Sequence, residues 1–146
     1  MRGVVWFRTD LRIDDNPALH NALDNCEEVI GIYIFSQLQW KAHNESNVKL
    51  EFLIENLTLL EKSLSKLNIP LITINTYSFD SLPKDLCSFV VSNKVGQIFW
   101  NNEFGVNESK RDLLSSAILE KENVKTSRFD DQVIYQPGYL KTGQGK

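Results

Sequence analysis

VVWFRTDLRIDDNPAL, residues 4–19, decides the reading of this chain. Val4 to Phe7 are all β-branched or aromatic, as in a strand buried on both faces. Arg8, Asp10, Arg12, Asp14 and Asp15 then crowd into a few positions. Asn16 is a good helix cap and Pro17 suits a first helical position, so a short helix should run through about Asp24. A buried strand, a charged turn and a helix make the opening of a βαβ unit.

The same alternation continues. EVIGIYIF, Glu28 to Phe35, is nearly all apolar and reads as a central strand. After a polar loop, SQLQWKAHNES, a long helix is expected from about Asn47 to Leu67. Leu50, Leu53, Ile54, Leu57, Leu60, Leu64 and Leu67 keep the spacing of one buried stripe. Pro70 opens a third strand, LITIN, and a helix from about Asp80 to Asn93 follows, with Pro83 in its first turn. QIFWN, residues 97–101, is the fourth strand. A helix from about Glu108 to Glu122 should then turn Leu113, Leu114, Ala117 and Ile118 inward, and VKTSRF, residues 124–129, supplies a fifth strand. The fold class expected is α/β: a Rossmann-like, doubly wound, five-stranded parallel sheet with helices on both faces. Val4, Val5, Ile30, Ile32, Ile34, Ile72, Ile98 and Phe99 should contribute to its core.

Composition narrows the function. The chain has 146 residues, 42% of them hydrophobic and 24% charged, as expected of one globular domain. A net charge of −3 and a pI near 5.4 argue against a free-standing nucleic-acid binder, which needs a basic patch. Cys26 and Cys87 lack metal-like spacing and read as two inert thiols in a reducing compartment. No apolar run approaches the roughly 20 residues of a membrane span, and a cytoplasmic protein without a membrane partner is expected. No metal site is expected.

Ligands of open α/β sheets bind at the carboxyl ends of the strands, so the charged turn after strand one lies on the functional rim. No G-x-G-x-x-G follows that strand and no Walker pattern occurs, which leaves a dinucleotide or ATP site poorly supported. The charges themselves can be read as arginine–aspartate pairs that fix the geometry of the loop.

VVWFRTDLRIDDNPAL closely resembles the opening of the photolyase and cryptochrome proteins, whose amino-terminal α/β domain begins W-F-R-x-D-L-R and continues D-N-x-A-L. QWKAHNES (residues 39–46), NNEFGVNESKRD (101–112) and FDDQVIYQPGYLKTG (129–143) are similar to the corresponding segments of bacterial, folate-type, class I cyclobutane pyrimidine dimer photolyases. The resemblance implies an antenna domain over residues 1–130 and the start of an interdomain linker over 131–146. The FAD-binding helical domain, which carries the catalytic and DNA-binding surfaces in the family, is expected to lie beyond this chain, and the chain alone is expected to hold no catalytic residue. Ultraviolet-damaged DNA and the flavin domain would be partners of the whole protein, a deoxyribodipyrimidine photo-lyase. The acidic balance agrees with a DNA-binding face that lies elsewhere.

The antenna implied by the resemblance is 5,10-methenyltetrahydrofolate, held in a pocket shared with the flavin domain, and the residues matching the family's folate contacts are His43, Asn107 and Glu108. Each also has a plainer reading. Asn107 suits a helix N-cap, Glu108 a first-turn acid, and His43 an exposed loop imidazole. Trp40 reads as a residue that packs its loop onto the core, and His20 is assigned no function. The rival readings are a cryptochrome-type light sensor, a photolyase with a deazaflavin antenna, and a stand-alone nucleotide-binding domain.

Overall fold

The computed structural model describes residues 1–36, 38 and 47–133. Its elements follow in strict alternation: β1 (Arg2–Phe7), α1 (Pro17–Asn25), β2 (Glu28–Ser36), α2 (Asn47–Ser65), β3 (Leu71–Thr76), α3 (Leu82–Ser92), β4 (Gln97–Asn101), α4 (Val106–Lys121) and β5 (Lys125–Phe129). The strands form one sheet in the order β3-β2-β1-β4-β5, and every neighbouring pair is parallel. β1 is central because its apolar run has to be covered on both sides: Val4 is level with Ile30 of β2 and with Ile98 of β4. The chain winds one way from β1 to β3 and then crosses back to β4 and β5.

Alternation along the strands divides the core into two layers. Val4, Trp6, Ile32, Ile98 and Trp100 face α3 and α4, where Leu82, Leu86, Val90 and Leu119 meet them. Val5, Phe7, Val29 and Phe99 face α1 and α2, where Ala18, Leu19, Leu60 and Leu64 meet them. Each fully buried side chain of this size stabilises the fold by roughly 1.5–3 kcal/mol. The doubly wound α/β sheet is therefore as expected, with Ile30 and Ile72 only half-buried at the margin of the core.

Two helices differ from the reading of their patterns. In α2 only Leu60 and Leu64 are buried; Leu50, Leu53 and Leu57 are half-buried, Ile54 is exposed, and Leu67, also exposed, lies past the end of the helix. The cause lies beneath the helix. Gly31 lets Leu64 settle onto the sheet, since a Cβ there would come within 3.1 Å of Leu64 Cδ1. The amino-terminal half of α2 instead stands off β2 and β3 and walls a cavity of about 480 Å³ with Tyr33, Phe35 and Leu71.

In α4 the expected inward residues Leu113, Leu114 and Ala117 are exposed and Ile118 is half-buried. The buried face is formed by Arg111, Asp112, Ser115 and Leu119. Ion pairs with Arg8, in the turn after β1, and Glu103, in the β4–α4 loop, turn the polar face of this helix toward the sheet.

Candidate functional site

Beyond the carboxyl ends of β1, β2 and β4 the structure opens into a cleft of about 640 Å³, in the size range of small-ligand sites. It lies at β1, where the direction of winding reverses and open α/β sheets take their ligands. β1 supplies Trp6 and the turn after it Arg8, β2 supplies Tyr33 and Ser36, α2 supplies Phe52 from the side, and α4 supplies Glu108. Aromatic walls with a few convergent polar groups suit a flat, heteroatom-bearing ring system.

The charged turn builds the floor. The Arg8 backbone N–H donates to Asp10 Oδ1 at 2.8 Å, which closes the turn on itself. Arg8 Nη1 donates to both carboxylate oxygens of Asp112, at 2.7 and 2.8 Å, and Nη2 donates to the backbone carbonyl of Asn101. Asn101 Nδ2 donates to Asp10 Oδ2 at 2.6 Å and to Asn16 Oδ1 at 2.9 Å, and that same Asn16 oxygen caps α1 by accepting from the Leu19 N–H. From α4, Arg111 donates to Glu103 Oε2 and to Asp112 Oδ1, each at 2.9 Å. Further along the turn, Arg12 pairs with Asp131 at 2.9 Å, while Asp14 and Asp15 are exposed.

Arg8, Asp10 and Arg12 thus tie β1 to α1, β4, α4 and the segment after β5. The loop-fixing reading of these charges is correct for them, and Arg8 and Arg12 also line the cleft. Two buried polar atoms on cleft-lining residues, Arg8 Nε and Ser36 Oγ, have no hydrogen-bond partner among the described residues. The Tyr33 phenol is pushed up to about 12 by burial, with the negative charge of Glu103 adding to the effect.

Of the three residues singled out in the sequence, Glu108 lies on the cleft wall. It is half-buried in the first turn of α4. Asn107 is exposed and is not the helix cap: α4 begins at Val106 with Gly105 as N-cap, so the chain enters the helix earlier than the Asn107 reading assumed. Gly105 leaves room for the Glu108 carboxylate, which curls back over it. His43 and Trp40 lie outside the described residues, as do residues 134–146 of the expected linker.

Glu103, Arg111 and Asp112 were not singled out, although they stand in NNEFGVNESKRD. For Arg111 and Asp112 the signal was the helical phase. Glu108, Arg111 and Asp112 are spaced three and four apart, which puts them on one side of α4. Among the described residues no group of histidine, cysteine or acidic side chains could hold a metal ion, and no helix is long and apolar enough to cross a membrane.

The sequence profile of the DNA photolyase family matches residues 3–146. The chain is 30% identical to the deoxyribodipyrimidine photo-lyase of Vibrio cholerae over 98% of its own length and 30% of that protein's. It is 36% identical to the deoxyribodipyrimidine photo-lyase of Escherichia coli over 96% of its own length and 29% of that protein's. The chain thus spans about 30% of the length of these curated relatives. Among solved structures, an archaeal photolyase from Sulfolobus tokodaii, crystallised with two FAD molecules, superposes with a TM-score of 0.85 at 24% identity, over 97% of this chain and 32% of that one. That likeness shows the fold.

Proposed function

Because the chain belongs to the DNA photolyase family, we propose that it is the light-harvesting domain of a deoxyribodipyrimidine photo-lyase and that its cleft holds the antenna chromophore. The observation that carries this reading is the half-buried Glu108 carboxylate on an aromatic-walled cleft at the winding reversal. We take the chromophore to be 5,10-methenyltetrahydrofolate. When bound, it supplies absorption in the near ultraviolet and blue and passes excitation through space to reduced FAD, held by a helical domain of the whole protein. That domain would bind ultraviolet-damaged DNA and split the pyrimidine dimer by electron transfer, in the cytoplasm.

The residues of this chain have no bond to make or break in that scheme. They bind and orient. A pterin edge presents a ring N–H beside an exocyclic amino group, and a carboxylate accepts from both, which is the role assigned to Glu108. Tyr33 and Phe52 give the ring apolar surface, and the Ser36 hydroxyl, without a hydrogen-bond partner among the described residues, is available to a polar atom of the ligand. Asn107 and His43 are assigned further contacts by resemblance alone. The rigid floor serves the antenna because excitation transfer depends on fixed distance and orientation.

Glu108→Gln tests the assignment. It keeps the size of the side chain and removes the charge, and loss of such a contact costs on the order of 1.5–3 kcal/mol, or roughly ten- to a hundredfold in folate affinity. Folate binding at the wild-type level would leave Glu108 with its helix-start role only. A cryptochrome-type sensor would share this domain, and a dimer-repair assay on the whole protein separates the two.

A further inference from the structure

Trp6 is the aromatic residue of β1 that lines the cleft from the α3 and α4 side, and it is 1% exposed. Trp100 of β4 meets it edge-on, with ring centroids 5.5 Å apart and an interplanar angle of 70°. The guanidinium carbons of Arg8 and Arg111 both lie over the Trp6 ring, each 4.8 Å from its centroid. Ion pairing with Glu103 and Asp112 accounts for burying the two arginines. It does not require both to stand over one indole that faces the cleft.

An indole beside a photo-excited aromatic ring is an electron donor. One electron would pass from the Trp6 π system to the excited occupant, giving an indole radical cation and a one-electron-reduced occupant. Its return would dissipate the excitation as heat. Two fixed positive charges over the ring attract the electron-rich indole and oppose its conversion to a cation. The carboxylates of Glu103 and Asp112 temper this field, but the cations are the charges placed over the ring. We propose that Arg8 and Arg111 make Trp6 a poor electron donor to a photo-excited aromatic occupant of the cleft, so that excitation leaves by energy transfer. This rests on the antenna reading of the cleft.

The 146-residue chain is irradiated with blue light in the presence of riboflavin as photo-oxidant, and oxidation of Trp6 is followed by peptide mapping. Wild type and Arg111→Lys should lose Trp6 slowly, and Arg111→Gln several-fold faster. Both substitutions break the planar fork to Glu103 and Asp112, so melting curves on the same samples separate charge from loosened packing. Equal rates in the Lys and Gln variants, or rapid loss in wild type, would overturn the proposal. A second arm needs no arginine variant: with methenyltetrahydrofolate bound, Trp6→Phe should not lengthen the fluorescence lifetime of the chromophore, and a longer lifetime would mark Trp6 as an active quencher and also overturn it. If the whole protein binds no folate, the antenna reading fails and the riboflavin arm still decides the proposal.

Discussion

Asp112→Asn should be among the most damaging conservative changes in the chain. Asp112 is 2% exposed and its carboxylate takes three hydrogen bonds, two from Arg8 Nη1 and one from Arg111 Nε. The amide keeps the shape but removes the charge, which leaves two buried guanidinium groups with Glu103 as the remaining carboxylate within pairing distance of both. Breaking a buried pair from one side costs about 3–5 kcal/mol, because the other charge stays buried without compensation. For a domain of this length that corresponds to a fall in Tm of roughly 6–20 °C. Urea unfolding followed by far-ultraviolet circular dichroism gives the free energy, and Glu28→Gln, at the exposed Arg2–Glu28 pair, provides the comparison. The double variant Arg8→Met, Asp112→Leu should recover part of the loss, since apolar replacement of a whole buried pair is often tolerated. A loss below about 1 kcal/mol for Asp112→Asn would refute the claim that this network holds the floor of the cleft.

Substitutions on α4 test its orientation: Leu114→Gln should change stability by less than about 0.5 kcal/mol, whereas Leu119→Ala should cost about 2–5 kcal/mol in the same unfolding assay. Gly3→Ala should destabilise by about 1–3 kcal/mol through overpacking, because a Cβ there would lie 2.5 Å from Cys26 Sγ; Cys26→Ala should relieve part of that cost. Tyr33 predicts an alkaline effect. Its folded pKa of about 12 lies above the ordinary 10.0, so its contribution is complete below pH 10 and is lost as pH rises toward 12. Tyr33→Phe should flatten that part of the curve of urea midpoint against pH.

The middle of the sheet was legible because its strands are buried by their own neighbours and so carry their own apolar signature: EVIGIYIF and QIFWN show it without reference to the rest of the chain. The helices were legible as elements but not always as faces. Leu113, Leu114 and Ala117 have the spacing of a buried stripe, yet Arg111 and Asp112 take the inward side because Arg8, more than a hundred residues away by count, waits there as a partner. No local pattern carries that pairing. The same kind of misreading arises in α2, where Ile54 belongs to an apolar stripe but sits over the gap between the helix and the sheet edge. The cleft was legible as a place, the carboxyl rim of β1, and Glu108 as a residue. Glu103 and Arg111 were hidden because each reads singly as a surface charge and becomes part of the floor only when paired with the other.

The central claim is that this cleft is a folate antenna site, and side-by-side equilibrium titrations of the wild-type chain with 5,10-methenyltetrahydrofolate and with a flavin test it most directly. The account predicts saturable binding of one folate, weak in the chain alone because the flavin domain completes the pocket and weakened roughly a further ten- to a hundredfold by Glu108→Gln, with the flavin bound more weakly still. Tighter binding of the flavin, or folate binding indifferent to Glu108, would contradict it.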